Sequence, residues 1–149
     1  MLSVLSHKAQ AKGLPLFLDY DRACETDFIG DPGRIRQIMI NLIGNALKFT
    51  YGGGEIIIRA YQIGSFKKAR LRVEIVDTGI GIIDNYQQEI FQRFYRIENN
   101  VHTLKGTGLG LSISKTILLQ HNTTIIGFLA NLLSIKVLKL SQKKSWRKN

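Results

Sequence analysis

The chain has 149 residues, with 21 Lys and Arg against 11 Asp and Glu, and a formal net charge of +10. That length suits one domain, and 44% apolar with 21% charged residues is the balance of a globular protein, not a disordered or fibrous one. No apolar run approaches the roughly 18 residues a membrane helix needs, the lone Cys24 excludes an internal disulfide, and the scattered His7, His102 and His121 make no zinc-type ligand set.

Residues 1–12 read as the end of a preceding helix or a linker, with Leu2, Leu5 and Ala9 on one side, stopped at Gly13-Leu14-Pro15. Leu14, Leu16 and Leu18 then alternate as in a half-buried strand, and Phe28-Ile29-Gly30 suggests a short second one. Asp31 is a good N-cap and Pro32 suits the first helical position. Ile35, Ile38, Met39, Leu42, Ile43, Ala46 and Leu47 follow at helical spacing, which predicts a long amphipathic helix.

Gly52-Gly53-Gly54 breaks that pattern. Strands are expected over Ile56–Ile63 and Leu71–Val76, joined by a hairpin-sized polar loop from Gly64 to Ala69. Asp77-Thr78-Gly79-Ile80-Gly81-Ile82 follows directly. A short helix is expected around Asn85–Phe91, then an irregular stretch, then a last helix over about Leu109–Gln120. Helices alternating with strands predict a two-layer α/β sandwich, a mixed sheet covered by helices on one face.

Four segments carry chemistry. Asn41, Asn45 and Lys48 stand at i, i+4 and i+7, so two carboxamides and an ammonium share one helix face. Such a stripe suits a hydrated Mg²⁺ and the phosphates it bridges, and equally a solvated face. Asp77, with Gly79 and Gly81, could present a carboxylate where the backbone passes close to a ligand, or make a plain turn. Phe91, Phe94 and Arg96 alone read most simply as core aromatics and a surface arginine. Lys105-Gly106-Thr107-Gly108-Leu109-Gly110-Leu111 leads into a helix N-terminus, where exposed N–H groups can hold phosphate. It is neither a P-loop nor a dinucleotide fingerprint.

In this order and spacing, the four segments resemble the ATP-binding catalytic domain of two-component sensor histidine kinases. That domain belongs to the GHKL group, which also holds gyrase-, Hsp90- and MutL-type ATPases. The resemblance covers roughly residues 13–121 and implies the Bergerat fold, with ATP and Mg²⁺ as ligands. It implies that Asn45 coordinates Mg²⁺ with Asn41 assisting, and that Lys48 and Arg96 act on the phosphates. Asp77 would accept from the adenine amino group, while Gly79, Gly81, Ile82 and Phe49 line the base. Phe91 and Phe94 would anchor a lid, and Lys105, Gly106, Thr107, Gly108, Leu109, Gly110 and Leu111 would form the phosphate loop. The GHKL ATPases resemble one another in a Glu four residues before the metal-binding Asn. Asn41 stands there instead and cannot act as a base, which favours kinase over ATPase.

No histidine here has the setting of a phosphoacceptor, so the resemblance implies a catalytic domain acting on a histidine outside this chain, in a phosphoacceptor helix domain. A response regulator would act downstream, in a cytoplasmic setting. A nucleotide-binding module with only a docking or regulatory role is the alternative. After His121 the family's third glycine box and closing strand are not recognisable, since no glycine follows Gly127. Residues 122–149 therefore read as an atypical basic segment. Up to Glu98 the charges nearly balance, 13 basic against 11 acidic, whereas the last 51 residues hold 8 basic and none acidic. Lys136, Lys139, Lys143, Lys144, Arg147 and Lys148 could contact nucleic acid or an acidic membrane, although charged termini are ordinarily just solvated. Two origins fit this segment: a reading frame shifted relative to the ancestral gene, or a lineage-specific ending in which Ile125–Leu133 and Ile135–Leu140 supply strands. Translating the gene in its other two frames beyond Asn122 separates them; a frameshift requires one frame to encode a glycine-box strand pair.

Overall fold

The computed structural model describes residues 2–22, 28–64, 70–97, 106–120 and 141–142. Helix α1, Leu2–Ala11, ends as its sequence dictates. Gly13 takes φ +64. Its N–H donates to Gln10 O at 3.0 Å, and that of Leu14 to Ala9 O at 2.9 Å. These two bonds make a Schellman stop, with Leu14 and Ala9 buried across it.

Strand β1, Leu16–Tyr20, runs parallel to strand β3, Ile56–Ile63. A parallel pair needs a crossover, and helix α2, Pro32–Phe49, lies in that connection. Asp31 caps α2 as expected, its carboxylate accepting from the N–H groups of Gly33 at 2.8 Å and Arg34 at 3.0 Å. Strand β4, Arg70–Asp77, pairs antiparallel with β3, one residue longer at each end than expected. The three strands form a mixed sheet in the order β1-β3-β4.

Helix α3, Gly110–Gln120, completes the described helical layer. One core joins the layers: Leu5, Ala9 and Leu14 from α1 and its stop, Ile38, Leu42, Ile43, Ala46 and Leu47 from α2, Ile56 and Ile58 from β3, Val73 and Ile75 from β4, and Ile117 and Leu118 from α3. The fold is thus a two-layer α/β sandwich, and α1 packs into the same core as the elements after Gly13. Separately, strand β2, Phe28–Ile29, pairs antiparallel with strand β5, Ser141–Gln142, so the only described part of the C-terminal segment returns beside the entry to α2.

Two expectations need correction. Leu18 is 69% exposed, not turned into a core, and among the described residues β1 is an edge strand. The helix expected around Asn85–Phe91 is two single 3₁₀ turns, Asp84–Tyr86 and Glu89–Phe91. Each closes its own short bond, Gln87 N–H to Asp84 O at 3.2 Å and Gln92 N–H to Glu89 O at 2.8 Å, and so short a stretch cannot carry the cost of nucleating an α-helix. The hairpin-loop residues 65–69 and the strands considered within 121–140 lie outside the described residues.

Replacing Asp31 by Ala removes both acceptor contacts at the start of α2. Its expected cost is about 1 kcal/mol of unfolding free energy, read as a lower denaturation midpoint with unchanged slope.

Candidate functional site

The period-two pattern of β4 extends through Leu71, Val73 and Ile75 to Asp77, which therefore faces the helical layer like its apolar predecessors. There it is only 6% exposed and meets the last turn of α2. Asp77 Oδ1 accepts from Gly79 N–H at 2.8 Å, with the Thr50 hydroxyl 3.5 Å away. Thr50 is fully buried, and its hydroxyl donates its single hydrogen at 2.7 Å to Ala46 O. Ile80 N–H then donates to Phe49 O at 3.2 Å, tying the segment after Asp77 to the end of the helix. No side chain fits at position 79, since a Cβ would lie 2.6 Å from both Asp77 Oδ1 and Phe49 O. Gly81 takes φ +69, the left-handed conformation that favours glycine. Ile82 beside it is half-buried.

Asn41, Asn45 and Lys48 are all half-buried along α2. The glycine segment runs along this stripe. A Cβ at Gly106 would lie 2.9 Å from Lys48 Nζ, and one at Gly110 would lie 3.6 Å from Asn41 Cβ. Asn41 is tied to α3: its Nδ2 donates to Gly110 O at 3.0 Å and to Ser114 Oγ at 3.2 Å, using both amide hydrogens. Its Oδ1 remains as an acceptor. Asn45, one turn on, is half-buried, and its carboxamide has no hydrogen bond among the described residues.

Lys48 Nζ lies 4.9 Å from the centroid of the Phe49 ring. Burial holds its pKa below the ordinary lysine value, and the nearby Arg96 guanidinium lowers it further. Two cations that disfavour each other, close to the N-terminus of α3, make a place where a polyanion relieves repulsion. Thr107, Leu109 and Leu111 continue the segment from Gly106 into α3, Thr107 exposed and both leucines half-buried. Lys105 lies outside the described residues.

The two aromatics of this segment differ in burial. Phe91 is half-buried, with Lys115 Nζ 5.2 Å from its ring centroid. The Phe94 ring is 71% exposed. What holds this region is the main chain. Phe94 N–H donates to Gly108 O at 3.1 Å, and a Cβ on Gly108 would come within 2.8 Å of the Phe94 carbonyl carbon. Phe94 at φ +65 and Gly108 at φ +70 meet here, an unusual conformation for a phenylalanine. Next to it the Tyr95 hydroxyl donates to Glu89 at 2.6 Å, and that hydrogen bond is the main reason its pKa is pushed up to about 12.

A cavity of about 450 Å³, lined by Arg34, Arg93, Phe94 and α3 residues, has none of Asn45, Lys48 or Asp77 in its wall. That cavity and the buried Asp77 are therefore separate features. Sequence reading attached no role to Thr50, although a threonine ending an amphipathic helix is a cue for a capping hydroxyl. Nor did it assign Lys12, treated below.

With this geometry in view, comparison with known proteins is decisive. A family model described as histidine kinase-, DNA gyrase B- and HSP90-like ATPase matches residues 30–131. The chain belongs to that family. It is similar to drug sensory protein A of Synechocystis sp., 48% identical over 130 residues, covering 83% of this chain and 20% of that protein. It is also similar to the signal transduction histidine-protein kinase BarA of Escherichia coli, 39% identical over 116 residues, covering 77% and 13%. The crystal structure of full-length ShkA in complex with AMPPNP superposes with a TM-score of 0.74 at 27% identity, covering 95% of this chain and 28% of that one. The fold is therefore the Bergerat fold, and the chain is an ATP-binding domain of the histidine-kinase type. It spans about a fifth of drug sensory protein A and less of BarA.

Burial raises the Asp77 pKa above 3.8, and the Gly79 N–H and the Thr50 hydroxyl only partly offset it. The folded chain thus holds this proton more tightly than the unfolded chain. Stability falls as pH rises from 3.8 through the folded pKa, and above it the buried charge is a standing cost. Asp77→Asn keeps an acceptor for Gly79 N–H and removes the charge. In thermal unfolding followed by circular dichroism, it should melt at or above the unaltered chain near neutral pH, with the gap closing as pH falls towards the acid range.

Proposed function

We propose that this chain supplies the ATP-binding catalytic step of a two-component sensor histidine kinase, passing the γ-phosphoryl group of ATP to a histidine of a phosphoacceptor helix domain outside it. The observation that supports this most is the buried Asp77 carboxylate, set beside Thr50 and followed by a segment tied through the Ile80 N–H to Phe49 O, at the end of the helix that carries Asn45 and Lys48. Its position suits an acceptor for the adenine amino group, with Gly79, Gly81, Ile82 and Phe49 beside the base. A guanine would present a carbonyl oxygen to the same carboxylate and be repelled.

The phosphates would lie between the α2 stripe and the start of α3. Lys48 and Arg96 would balance their charge, and the N–H groups around Gly106, Gly108 and Gly110 would hold their oxygens. Among the described residues no three His, Cys, Asp or Glu converge. Mg²⁺ ordinarily takes few protein ligands, keeps several waters and shares the nucleotide's own phosphates, so the Asn45 carboxamide oxygen, with Asn41 Oδ1 nearby, is a fitting donor set. Bound there, Mg²⁺ supplies charge neutralisation on the transferring group. Asn41 lacks a basic group, so it does not activate water. A neutral imidazole needs no such base to attack phosphorus. The residues from Gly13 to His121 would form the catalytic domain, with 1–12 leading in from a preceding helix, 122–149 forming a basic extension, and a response regulator receiving the phosphoryl group in the cytoplasm.

Calorimetric titration of the full chain with Mg-ATP should saturate. Asp77→Asn should weaken binding roughly 10- to 100-fold, the scale of one hydrogen bond to a charged acceptor. Mixing the chain with the parent kinase's separately produced acceptor domain should then yield acid-labile phosphate on that domain. Binding indifferent to Asp77→Asn would overturn the site, while binding without transfer would leave a non-catalytic nucleotide module.

A further inference from the structure

The Lys12 ammonium, just past the end of α1, reaches across 35 residues of sequence to the C-terminus of α2. It donates to Leu47 O at 2.6 Å, Thr50 O at 3.3 Å and Lys48 O at 3.4 Å. The last carbonyls of a helix have no intrahelical donors, and a cation there also meets the negative end of the helix dipole. Lys12 therefore closes a terminus that Thr50, with its hydroxyl turned back to Ala46 O, closes from the other side.

The closed turn is the one on which the adenine end rests. Thr50 touches Asp77, and Phe49 O receives Ile80 N–H. The origin of Lys12 is equally fixed. Gly13 and Leu14 lock the stop of α1 by two backbone bonds, and Leu5, Ala9 and Leu14 anchor it in the core. A continuous set of contacts thus runs from α1 through one ammonium to the adenine carboxylate.

We propose that Lys12 is a positioning residue for the adenine site, setting the last turn of α2 so that Asp77 and Ile80 are held for the base, and making adenine recognition depend on how α1 is docked. This rests on the reading of Asp77 as the adenine contact. Without the ammonium, three carbonyl oxygens at the helix end lose their shared donor, the turn frays, and Thr50 and Phe49 shift under the segment after Asp77. By linkage the effect is reciprocal: filling the adenine site steadies the stop of α1.

The test compares the full unaltered chain with Lys12→Met, which keeps the methylenes, and Lys12→Arg, which restores donors. Each is titrated with Mg-ATP and with purine riboside triphosphate, which lacks the 6-amino group, and amide hydrogen exchange is followed at Thr50 and Ile80. Lys12→Met should bind ATP about fivefold more weakly, the lower range of measured site-to-site couplings, with little change for the analogue. Preference for the amino group should therefore narrow, exchange at Thr50 and Ile80 should quicken, and Lys12→Arg should recover most of both. In the unaltered chain, at equal multiples of Kd, ATP should slow exchange at Leu14 more than the analogue does, a reading that needs no variant to fold. A lower melting temperature of Lys12→Met with an unchanged ATP-to-analogue ratio would make Lys12 merely structural and overturn the proposal, as would equal Leu14 protection by both ligands. If the unaltered chain itself fails to distinguish ATP from the analogue, the Asp77 reading falls first and this one with it.

Discussion

The site depends on one constraint: a carboxylate must be kept inside the protein at the point where a strand ends. Asp77 is there because β4 keeps its two-residue alternation to the last residue, so the position after Ile75 on that face is inward whatever side chain occupies it. A charge placed so is unfavourable until something compensates it. The protein supplies one N–H from Gly79 and a distant hydroxyl from Thr50, which is less than burial costs. A ligand donor there would complete what the fold leaves incomplete. This is the arrangement expected of a group kept for binding, since a purely structural role would be served as well by an uncharged acceptor.

The opposite charge is treated in the same way a short distance along α2. Lys48 is partly withdrawn from water and has Arg96 as a neighbour, and both lower its pKa. One helix thus carries an uncommitted carboxamide at Asn45 and a strained ammonium at Lys48, and its last turn supports a strained carboxylate. The glycine segment lies along this stripe, with Gly106 near Lys48 Nζ and Gly110 near Asn41, while Gly108 lies against the backbone of Phe94 and Tyr95. Burial thus shifts both Asp77, beside the last turn of α2, and Lys48, on that turn, towards their neutral forms.

Much of this was legible in the sequence, for physical reasons that differ by element. Asp31-Pro32 and the apolar spacing from Ile35 to Leu47 specify α2 because capping and amphipathicity are local and agree with each other. The β3–β4 hairpin was legible by its alternation, and the inward face of Asp77 follows from continuing that alternation by one step. Leu18 shows the limit: alternation marks a strand but not whether each residue of its inner row is covered. The 3₁₀ turns after Asp84 were unreadable because a few residues carry no period. The exposure of Phe94 and its backbone bond to Gly108 have no local pattern either. Lys12 has no signal at all in the sequence, since its three acceptors are carbonyl groups that every residue possesses, far along the chain.

Asn41 joins two properties that are usually considered apart. Its amide donates both hydrogens into the first turn of α3, to Gly110 O and Ser114 Oγ, and fixes where that helix begins. A glutamate at the same position would bring the base that water-splitting relatives resemble one another in having. It would also bring only acceptors, set against a carbonyl oxygen that is an acceptor too. The helix start would lose its fastening in the same substitution that introduced hydrolysis. A carboxylate at position 41 is thus opposed by the packing of α3 itself, whatever chemistry it would bring.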